Sequence, residues 1–340
     1  MPEIIVGIIA NPAAGKDIRR IVSQGRFISN QEKVNTLTRI MAGLEAVGVQ
    51  RVVFMPDISM LGAAATAEAT STIPTQILDF TAFNEDRDST TAAAMMSEMG
   101  VGCLVTLGGD GTNRAVAKGS GDVPLLPIST GTNNVFPTMV EGTIAGLAAG
   151  IVAQGAIDLD TITAPSKALE VRVDGEIRDM ALVDVAVSKE RLVGARAIWD
   201  INTLHEVYLA RAEPASIGLS SIGSRLLPIG AENDLGLYIR LGEGGEHVAA
   251  PIAPGYIRQV GIQEWRTVEI GEPVPVGLVP STIALDGERT FTLGQEAVAE
   301  VVLTMGGPRV VSIEKTLAEA SRQGAFSGLN SSREQKAARP

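Results

Sequence analysis

The first part of the chain alternates continuous apolar runs with segments of helical periodicity. Residues 4–10 (IIVGIIA) form an apolar run rich in β-branched residues, which is typical of a strand buried on both faces of a parallel sheet. Turn-forming residues follow at 11–15 (NPAAG), and apolar side chains then recur at helical spacing over 32–47 before Gly48. This order of strand, turn and helix predicts one crossover unit of an α/β fold.

The same unit recurs as far as residue 153. Further strands are predicted at 51–55, 76–80, 101–107 and 124–128, and helices at 60–70, at 88–100 with Asp88 as N-cap, directly after 108–113, and at 138–153. Alternating strands and helices of this kind predict a doubly wound parallel sheet.

Beyond residue 160 the pattern changes to short strands separated by Gly, Pro and Asp turns. These strands are predicted at 168–174, 180–187, 235–241, 247–252, 265–270, 281–286, 290–293 and 298–304. We therefore expect an α/β nucleotide-binding domain over 1–155 and a mainly antiparallel β domain, for substrate binding or oligomerisation, over 160–305. Residues 306–323, with a helix predicted over 311–323, are expected to return to the first domain, and 324–340 to form a flexible tail.

Composition excludes several classes of protein. A length of 340 residues exceeds the roughly 250–300 residues at which single cores stop growing, which agrees with two domains. The net charge of -11 argues against nucleic-acid and anionic-membrane partners. One cysteine and two histidines cannot build an internal disulfide or a zinc cluster. Since neither a signal peptide nor a long apolar span is evident, a cytoplasmic location is expected.

Candidate chemistry begins at residues 108–112 (GGDGT), which follow a predicted strand and open a helix. Three glycines let the main chain approach a ligand closely, and the N–H groups of a helix N-terminus attract phosphate. A carboxylate at such a site would repel phosphate unless it binds Mg²⁺ or accepts a proton from an attacking hydroxyl, so Asp110 indicates phosphoryl transfer. The alternative is a tight turn in which Asp110 and Thr112 cap the helix.

A second polar loop follows the next strand at 128–137 (ISTGTNNVFP). Because the carboxyl ends of neighbouring parallel strands share one edge of a sheet, the two loops are expected to form a cleft.

Together, GGDGT, NPAAGK at 11–16 and ISTGTNN at 128–134 resemble the ATP-NAD kinase superfamily, of which diacylglycerol and sphingosine kinases are more distant relatives. The opening NPAAGKDIRR and the chain length are most similar to the AcoX-like (acetoin catabolism protein X) branch. Residues 213–228 lie where NAD kinases carry a TGSTAY-type segment, and 284–288 (ALDGE) resemble their late D-G turn.

The resemblance implies a role for particular residues. Asp110 would be the catalytic residue and a possible Mg²⁺ ligand. The residues that would bind the ATP phosphates or line the ATP cleft are Asn11, Gly15, Gly108, Gly109, Gly111 and Thr112. The substrate or nucleotide would contact Asn133, Asn134, Asp184, Ser220 and Ser221.

Two departures concern the acceptor. NAD kinases carry an Asn followed by an acid where this chain has Val183-Asp184, and the Thr-Ala-Tyr of the TGSTAY segment is missing. The resemblance thus implies an ATP- and Mg²⁺-dependent kinase that phosphorylates a hydroxyl of NAD or of a small metabolite, and that is a homo-oligomer. The alternative is a non-catalytic NAD(H)- or ATP-binding sensor linked to acetoin or related catabolism.

Overall fold

The computed structural model describes residues 2–15, 28–131, 133–190 and 200–326. The tail predicted over 324–340 therefore lies outside the described residues, except for its first three positions.

A seven-stranded sheet forms the centre of the first domain. Its strands are β1 (Ile5–Ala10), β2 (Arg51–Phe54), β3 (Thr75–Ile77), β4 (Cys103–Gly108), β5 (Leu125–Ser129), β6 (Thr163–Pro165) and β17 (Arg309–Val311). The strand order is β3-β2-β1-β4-β5-β17-β6, with every neighbouring pair parallel except the antiparallel pair of β6 and β17. All six residues of β1 are buried, as its continuous apolar sequence predicts.

Helices cover both faces of this sheet and confirm the doubly wound prediction. They are α1 (Asn30–Ala46), α2 (Leu61–Glu68), α3 (Asp86–Glu98), α4 (Asp110–Ala117), α5 (Gly142–Gln154), α6 (Leu159–Ile162) and α8 (Ile313–Arg322). Alternate residues of β1 enter different apolar clusters: Ile8 packs in the cluster of α1 and α5, and Ile9 packs in that of α3. Helices α1 and α5 lie so close that a Cβ atom at Gly146 would overlap the carbonyl oxygen of Ile40.

The start of α3 differs from the prediction. Glu85, not Asp88, is the N-cap, and Asp88 occupies the third helical position of a capping box. The Asp88 carboxylate accepts hydrogen bonds from the N–H groups of Phe83 (2.9 Å) and Glu85 (3.1 Å). The acid therefore stabilises the same helix end from inside the first turn.

Two antiparallel sheets form the second domain. Its strands are β7 (Ala168–Val173), β8 (Glu176–Ala181), β9 (Asp184–Ser188), β10 (Leu204–Leu209), β11 (Leu235–Ala253), β12 (Tyr256–Glu269), β13 (Pro273–Pro275), β14 (Ser281–Leu285), β15 (Glu288–Leu293) and β16 (Ala299–Thr304). The six-stranded sheet has the order β12-β11-β10-β9-β14-β15, and the four-stranded sheet has the order β13-β16-β7-β8. One apolar cluster joins residues of both sheets, and α7 (Leu219–Leu226) covers the outer face of the larger sheet.

The chain passes from the first domain to the second after β6 and comes back at β17. Strand β17 lies beside β5, and Ala320 of α8 is buried in the same apolar cluster as α1 and α5. Among the described helices, none has both the length and the apolar character that a bilayer-spanning helix needs.

Candidate functional site

The GGDGT segment forms the junction between β4 and α4. Strand β4 ends at Gly108, Gly109 is the N-cap, and the helix begins at Asp110 without any side-chain cap. The alternative of a turn capped by Asp110 and Thr112 is therefore wrong. Since the first amides of a helix have no intrahelical acceptor, this turn presents N–H groups at the carboxyl edge of the sheet.

Both GGDGT glycines before Asp110 are closely packed, and Gly108 leaves no room for a side chain. A Cβ atom at Gly108 would lie 2.5 Å from Cβ of Thr112, and one at Gly109 would lie 2.8 Å from Oδ1 of Asn134. The segment and the second polar loop are thus in direct contact, as the sequence predicts.

The Asp110 carboxylate is directed at the second polar loop. Its Oδ1 accepts hydrogen bonds from the N–H groups of Phe136 (2.8 Å) and Val135 (3.1 Å), and its Oδ2 lies 3.2 Å from the Val135 nitrogen. Only 8% of the residue is exposed. The position of the acid is therefore fixed by main-chain donors that do not depend on side-chain rotamers.

A second buried acid, Asp286, approaches from the other domain. It lies in the turn between β14 and β15 with a left-handed φ of 51°. Its carboxylate accepts hydrogen bonds from the N–H groups of Leu182 (3.0 Å), Val183 (2.8 Å) and Asp184 (3.3 Å). Burial, followed by repulsion from Asp286, raises the pKa of Asp110 to about 7, and burial raises the pKa of Asp286 as well.

Two buried arginines lie beside this pair of acids. The Arg114 Nε atom is 3.7 Å from Oδ2 of Asp286, and a terminal nitrogen of Arg114 is 3.3 Å from Oδ2 of Asp86. The Arg211 guanidinium lies 4.7 Å from the centroid of the Phe136 ring. Its strongest electrostatic attraction is to Glu213, followed by Asp110 and Asp286. Sequence reasoning missed Asp286, Arg114 and Arg211, although the ALDGE turn that contains Asp286 had been noticed.

The first loop contacts the GGDGT helix directly. The Asn11 side-chain amide donates a hydrogen bond to Oγ1 of Thr112 (2.9 Å). Gly15 has a φ of 75°, and a Cβ atom there would overlap the carbonyl oxygen of Thr130 in the second loop. The structure thus brings Asn11, Gly15, Thr112 and both polar loops together.

Lys33 holds the first loop in place, and sequence reasoning missed it. The residue is 1% exposed, and its Nζ donates hydrogen bonds to the carbonyl oxygens of Asn11 (2.9 Å), Pro12 (3.0 Å) and Ala14 (2.7 Å). An isolated lysine in a helical pattern carries no sequence signal for this role, because its acceptors are carbonyl groups.

If the first loop lines the ATP cleft, as the sequence resemblance implies, Lys33→Met should raise the KM for ATP more than tenfold, because three carbonyl groups lose their donor and the loop loses its fixed shape. Lys167→Met is the matched control: Lys167 is also 1% exposed and donates to the carbonyl oxygens of Gly230 and Leu235. Thermal unfolding should reveal destabilisation of both variants, whereas steady-state kinetics should show the ATP effect only in Lys33→Met. An equal rise in the KM for ATP in both variants would contradict a specific role for the first loop.

The other predicted site residues occupy different places. Asn133 is half-buried in the second loop, and the Asn134 side-chain amide donates to Oγ of Ser129 (2.8 Å). Asp184 begins β9, buried beside the Asp286 turn. Ser220 and Ser221 are at most 1% exposed; Ser220 accepts a hydrogen bond from the Glu213 N–H, and Ser221 donates to the Gly218 carbonyl oxygen. These two hydroxyls therefore form contacts within the second domain.

The carboxylates near the GGDGT turn agree with the Mg²⁺ that the sequence resemblance implies if the ion is bound together with ATP. Within the described ranges, no three carboxylate, cysteine or histidine side chains converge as metal ligands. A Mg²⁺ ion bound to ATP needs only one or two protein carboxylates because phosphates and water complete its coordination. Asp110 could be one such ligand through Oδ2, which accepts a single long hydrogen bond.

The raised pKa of Asp110 predicts an unusual pH dependence of stability in the absence of nucleotide. Between pH 4 and 7 the folded protein holds a proton that the unfolded chain, with an ordinary pKa of 3.8, has already lost. The free energy of unfolding therefore falls by about 1 kcal/mol per pH unit as the pH rises from 4 to 7, and the stabilisation present below pH 4 is lost above pH 7. Urea unfolding at pH 5 and pH 8 should show this loss in the wild type and a smaller one in Asp110→Asn. Identical pH dependence in the two proteins would contradict the raised pKa.

Comparison with known proteins agrees with this architecture. Residues 6–157 match the family model of the ATP-NAD kinase N-terminal domain, and residues 167–306 match that of the acetoin catabolism protein X C-terminal domain. The chain is 39% identical to acetoin catabolism protein X of Cupriavidus necator over 332 residues, covering 94% of this chain and 92% of the relative.

Two solved structures of a "putative diacylglycerol kinase" from Bacillus anthracis are also similar. They are 14% and 13% identical, with TM-scores of 0.44 and 0.42, and each comparison covers 92% of this chain and at least 98% of the other. Because the identity to the Cupriavidus protein extends through both domains, the predicted resemblance is confirmed, and this chain belongs to the acetoin catabolism protein X family of ATP-NAD kinase-like proteins.

Proposed function

We propose that the protein is an ATP-dependent kinase that transfers a phosphoryl group to a hydroxyl of a small metabolite or of NAD. The observation that carries the proposal is the buried pair of acids, Asp110 and Asp286, at the N-terminus of α4, whose first turn has no side-chain cap among the described residues. Such a site combines donors for phosphate with an acid that can take a proton, which are the two requirements of phosphoryl transfer.

In the proposed reaction the acceptor hydroxyl oxygen forms a bond to the γ-phosphorus of ATP. The bond between that phosphorus and the oxygen bridging it to the β-phosphate breaks, and ADP leaves. The hydroxyl proton passes to Asp110, whose pKa of about 7 lets it be ionised and still basic at neutral pH. Amides of the GGDGT turn hold the phosphates, and a Mg²⁺ ion bound to ATP, with Asp110 as a ligand, would further neutralise their charge.

The surroundings of Val183 favour a small metabolite over NAD. Val183 stands where NAD kinases carry an asparagine; it is fully buried, and it packs in the apolar cluster that contains Phe136 and Leu182. An apolar side chain there cannot hydrogen-bond the dinucleotide. The name of the Cupriavidus relative supports a place for the reaction in acetoin or related catabolism.

A non-catalytic sensor of ATP or NAD(H) is the second candidate. The observation in its favour is that both Asp110 oxygens already accept main-chain hydrogen bonds, a purely structural use of the acid. A sensor would bind nucleotide without releasing ADP.

The two functions are separated by measuring ADP release with the full-length protein, ATP, Mg²⁺ and a panel of hydroxyl compounds that includes NAD. Release above the rate of ATP hydrolysis with one acceptor class supports the kinase. Saturable ATP binding by calorimetry without ADP release for any acceptor supports the sensor. The Mg²⁺ requirement, homo-oligomeric assembly and cytoplasmic location stay predictions.

A further inference from the structure

Arg211 is a buried cation without a hydrogen-bond partner in the described part of the chain. The residue follows β10 and is 7% exposed. Its Nε atom is buried without an acceptor among the described residues, and the closest carboxylate oxygen there, Oε1 of Glu213, is 3.8 Å from a terminal nitrogen. That separation exceeds a normal hydrogen bond.

Leaving a buried charged donor unsatisfied costs free energy, so such a group points to a ligand. Arg114 provides a contrast inside the same site. Its guanidinium has an oxygen of Asp86 at 3.3 Å and Oγ1 of Thr290 at 3.4 Å, with Asp286 close by. The Nε atom of Arg114 is also buried without a hydrogen-bond partner among the described residues, so the two arginines differ in their terminal nitrogens. Those of Arg114 contact Thr290 and Asp86, whereas no described residue accepts a hydrogen bond from those of Arg211.

Phe136 contacts both Arg211 and Asp110 and so sets the position of one relative to the other. The guanidinium lies over the Phe136 ring, and the N–H group of Phe136 donates to Asp110. A molecule whose hydroxyl faces Asp110 would therefore have the Arg211 donors near its other end.

Local charge selects the kind of anion. Four acids act on Arg211, namely Glu213, Asp110, Asp286 and Glu232, whereas Arg114 and Lys167 are the buried cations nearby. A phosphate group other than those of ATP, which the GGDGT amides would hold, would have only the Arg211 guanidinium to offset the charge of these acids. A carboxylate carries a single charge and matches the planar fork of arginine with two parallel hydrogen bonds.

We infer that Arg211 binds a carboxylate of the phosphoryl acceptor, and that the acceptor is a small hydroxy acid. This inference rests on the proposed kinase function for the role of the hydroxyl, although binding of the hydroxy acid can be measured without turnover.

The test uses calorimetry and thermal unfolding of the full-length protein with lactate, glycerate and 3-hydroxybutyrate. Neutral 1,2-propanediol and glycerol serve as matched ligands, and inorganic phosphate is the competitor. We expect the hydroxy acids to bind at least tenfold more tightly than the neutral compounds. Arg211→Lys, which keeps the charge and loses the fork, should weaken hydroxy-acid binding at least tenfold and change ATP affinity less than twofold.

A second variant gives a result that a structural role for Arg211 would not produce. Glu213→Gln removes the acid nearest to Arg211 and should tighten hydroxy-acid binding about two- to fivefold. In a kinetic assay, Arg211→Lys should raise the KM for the acceptor and leave the KM for ATP unchanged.

Three outcomes would overturn the inference: no hydroxy acid binds, neutral and anionic compounds bind equally, or Arg211→Lys weakens ATP and phosphate instead. The last outcome would assign Arg211 to the nucleotide phosphates. Hydroxy-acid binding that depends on Arg211 without any ADP release would refute the kinase and leave the carboxylate site standing, so the two failures are distinguishable.

Discussion

Replacing Asp110 by asparagine is expected to lower kcat for ADP release by about 10³-fold or more, within the range that general-base catalysis contributes. Asparagine has nearly the same shape and can still accept a hydrogen bond from the Phe136 N–H, but it cannot take up a proton or carry charge. Its NH₂ group would face the Val135 N–H, so a stability loss of about 1 kcal/mol is expected too.

Asp88→Asn is the matched control for this variant. Asp88 is 7% exposed and its carboxylate also accepts two main-chain hydrogen bonds, but it serves the start of α3. The control should lose a similar amount of stability and keep its turnover. Equal turnover in Asp110→Asn and the wild type would remove Asp110 from the mechanism and favour the sensor.

Short-range sequence patterns were sufficient for strands β1 to β5 of the first domain, but the short strands β6 and β17 were not predicted. The apolar runs at β1 and β4 are continuous because helices cover both faces of these strands. Burial of both faces is therefore visible from consecutive residues. The GGDGT turn was found for the same reason, since glycine, acid and helix start are adjacent in sequence. The strand-to-helix junction and its contact with the second loop are present as expected.

The strands of the second domain were harder to predict from sequence because their bounds depend on pairing with segments that are distant along the chain. The predicted strand 180–187 is in fact the end of β8 and most of β9, separated where Asp286 accepts the N–H groups of Leu182 and Val183. The two strands predicted at 235–241 and 247–252 are one long strand, β11, whose pairing with β12 shifts register. Strand β10 was not predicted at all.

The missed site residues have the same cause. Lys33 acts on main-chain carbonyl groups 19 to 22 residues away, and Asp286 acts on amides about 100 residues away. Neither side chain stands in a local motif that specifies these partners. Arg211 is recognisable only by its lack of hydrogen bonds in the described chain, which requires coordinates.

The two domains contribute equivalent parts to the site. Each supplies one buried acid in a turn, Asp110 after β4 and Asp286 after β14, and each acid is held by main-chain N–H groups of another segment. Burial, and after it repulsion from Asp286, raises the pKa of Asp110, so the contact between domains contributes to the proton affinity of the proposed base. A change in domain contact would therefore change the pH dependence of turnover.

Asp286→Ala is expected to cause the largest loss of stability, about 3–5 kcal/mol, because it removes the buried acid beside Arg114 and leaves that guanidinium with only the half-exposed Asp86. Three main-chain N–H groups also lose their acceptor, and alanine tolerates the left-handed φ of 51° less well than aspartate. Asp174→Ala is the matched control: Asp174 also precedes a glycine in a hairpin turn with a φ of 52°, but it is exposed and accepts one hydrogen bond, from Val298. The control should cost only about 1 kcal/mol in urea unfolding, since it shares the backbone strain and not the buried charge. Equal losses in both variants would mean that backbone conformation, and not the ion pair with Arg114, accounts for the stability that Asp286 provides.

The milder Asp286→Asn should in addition move the pH at which kcat is half-maximal below 7, because the repulsion that raises the pKa of Asp110 is removed.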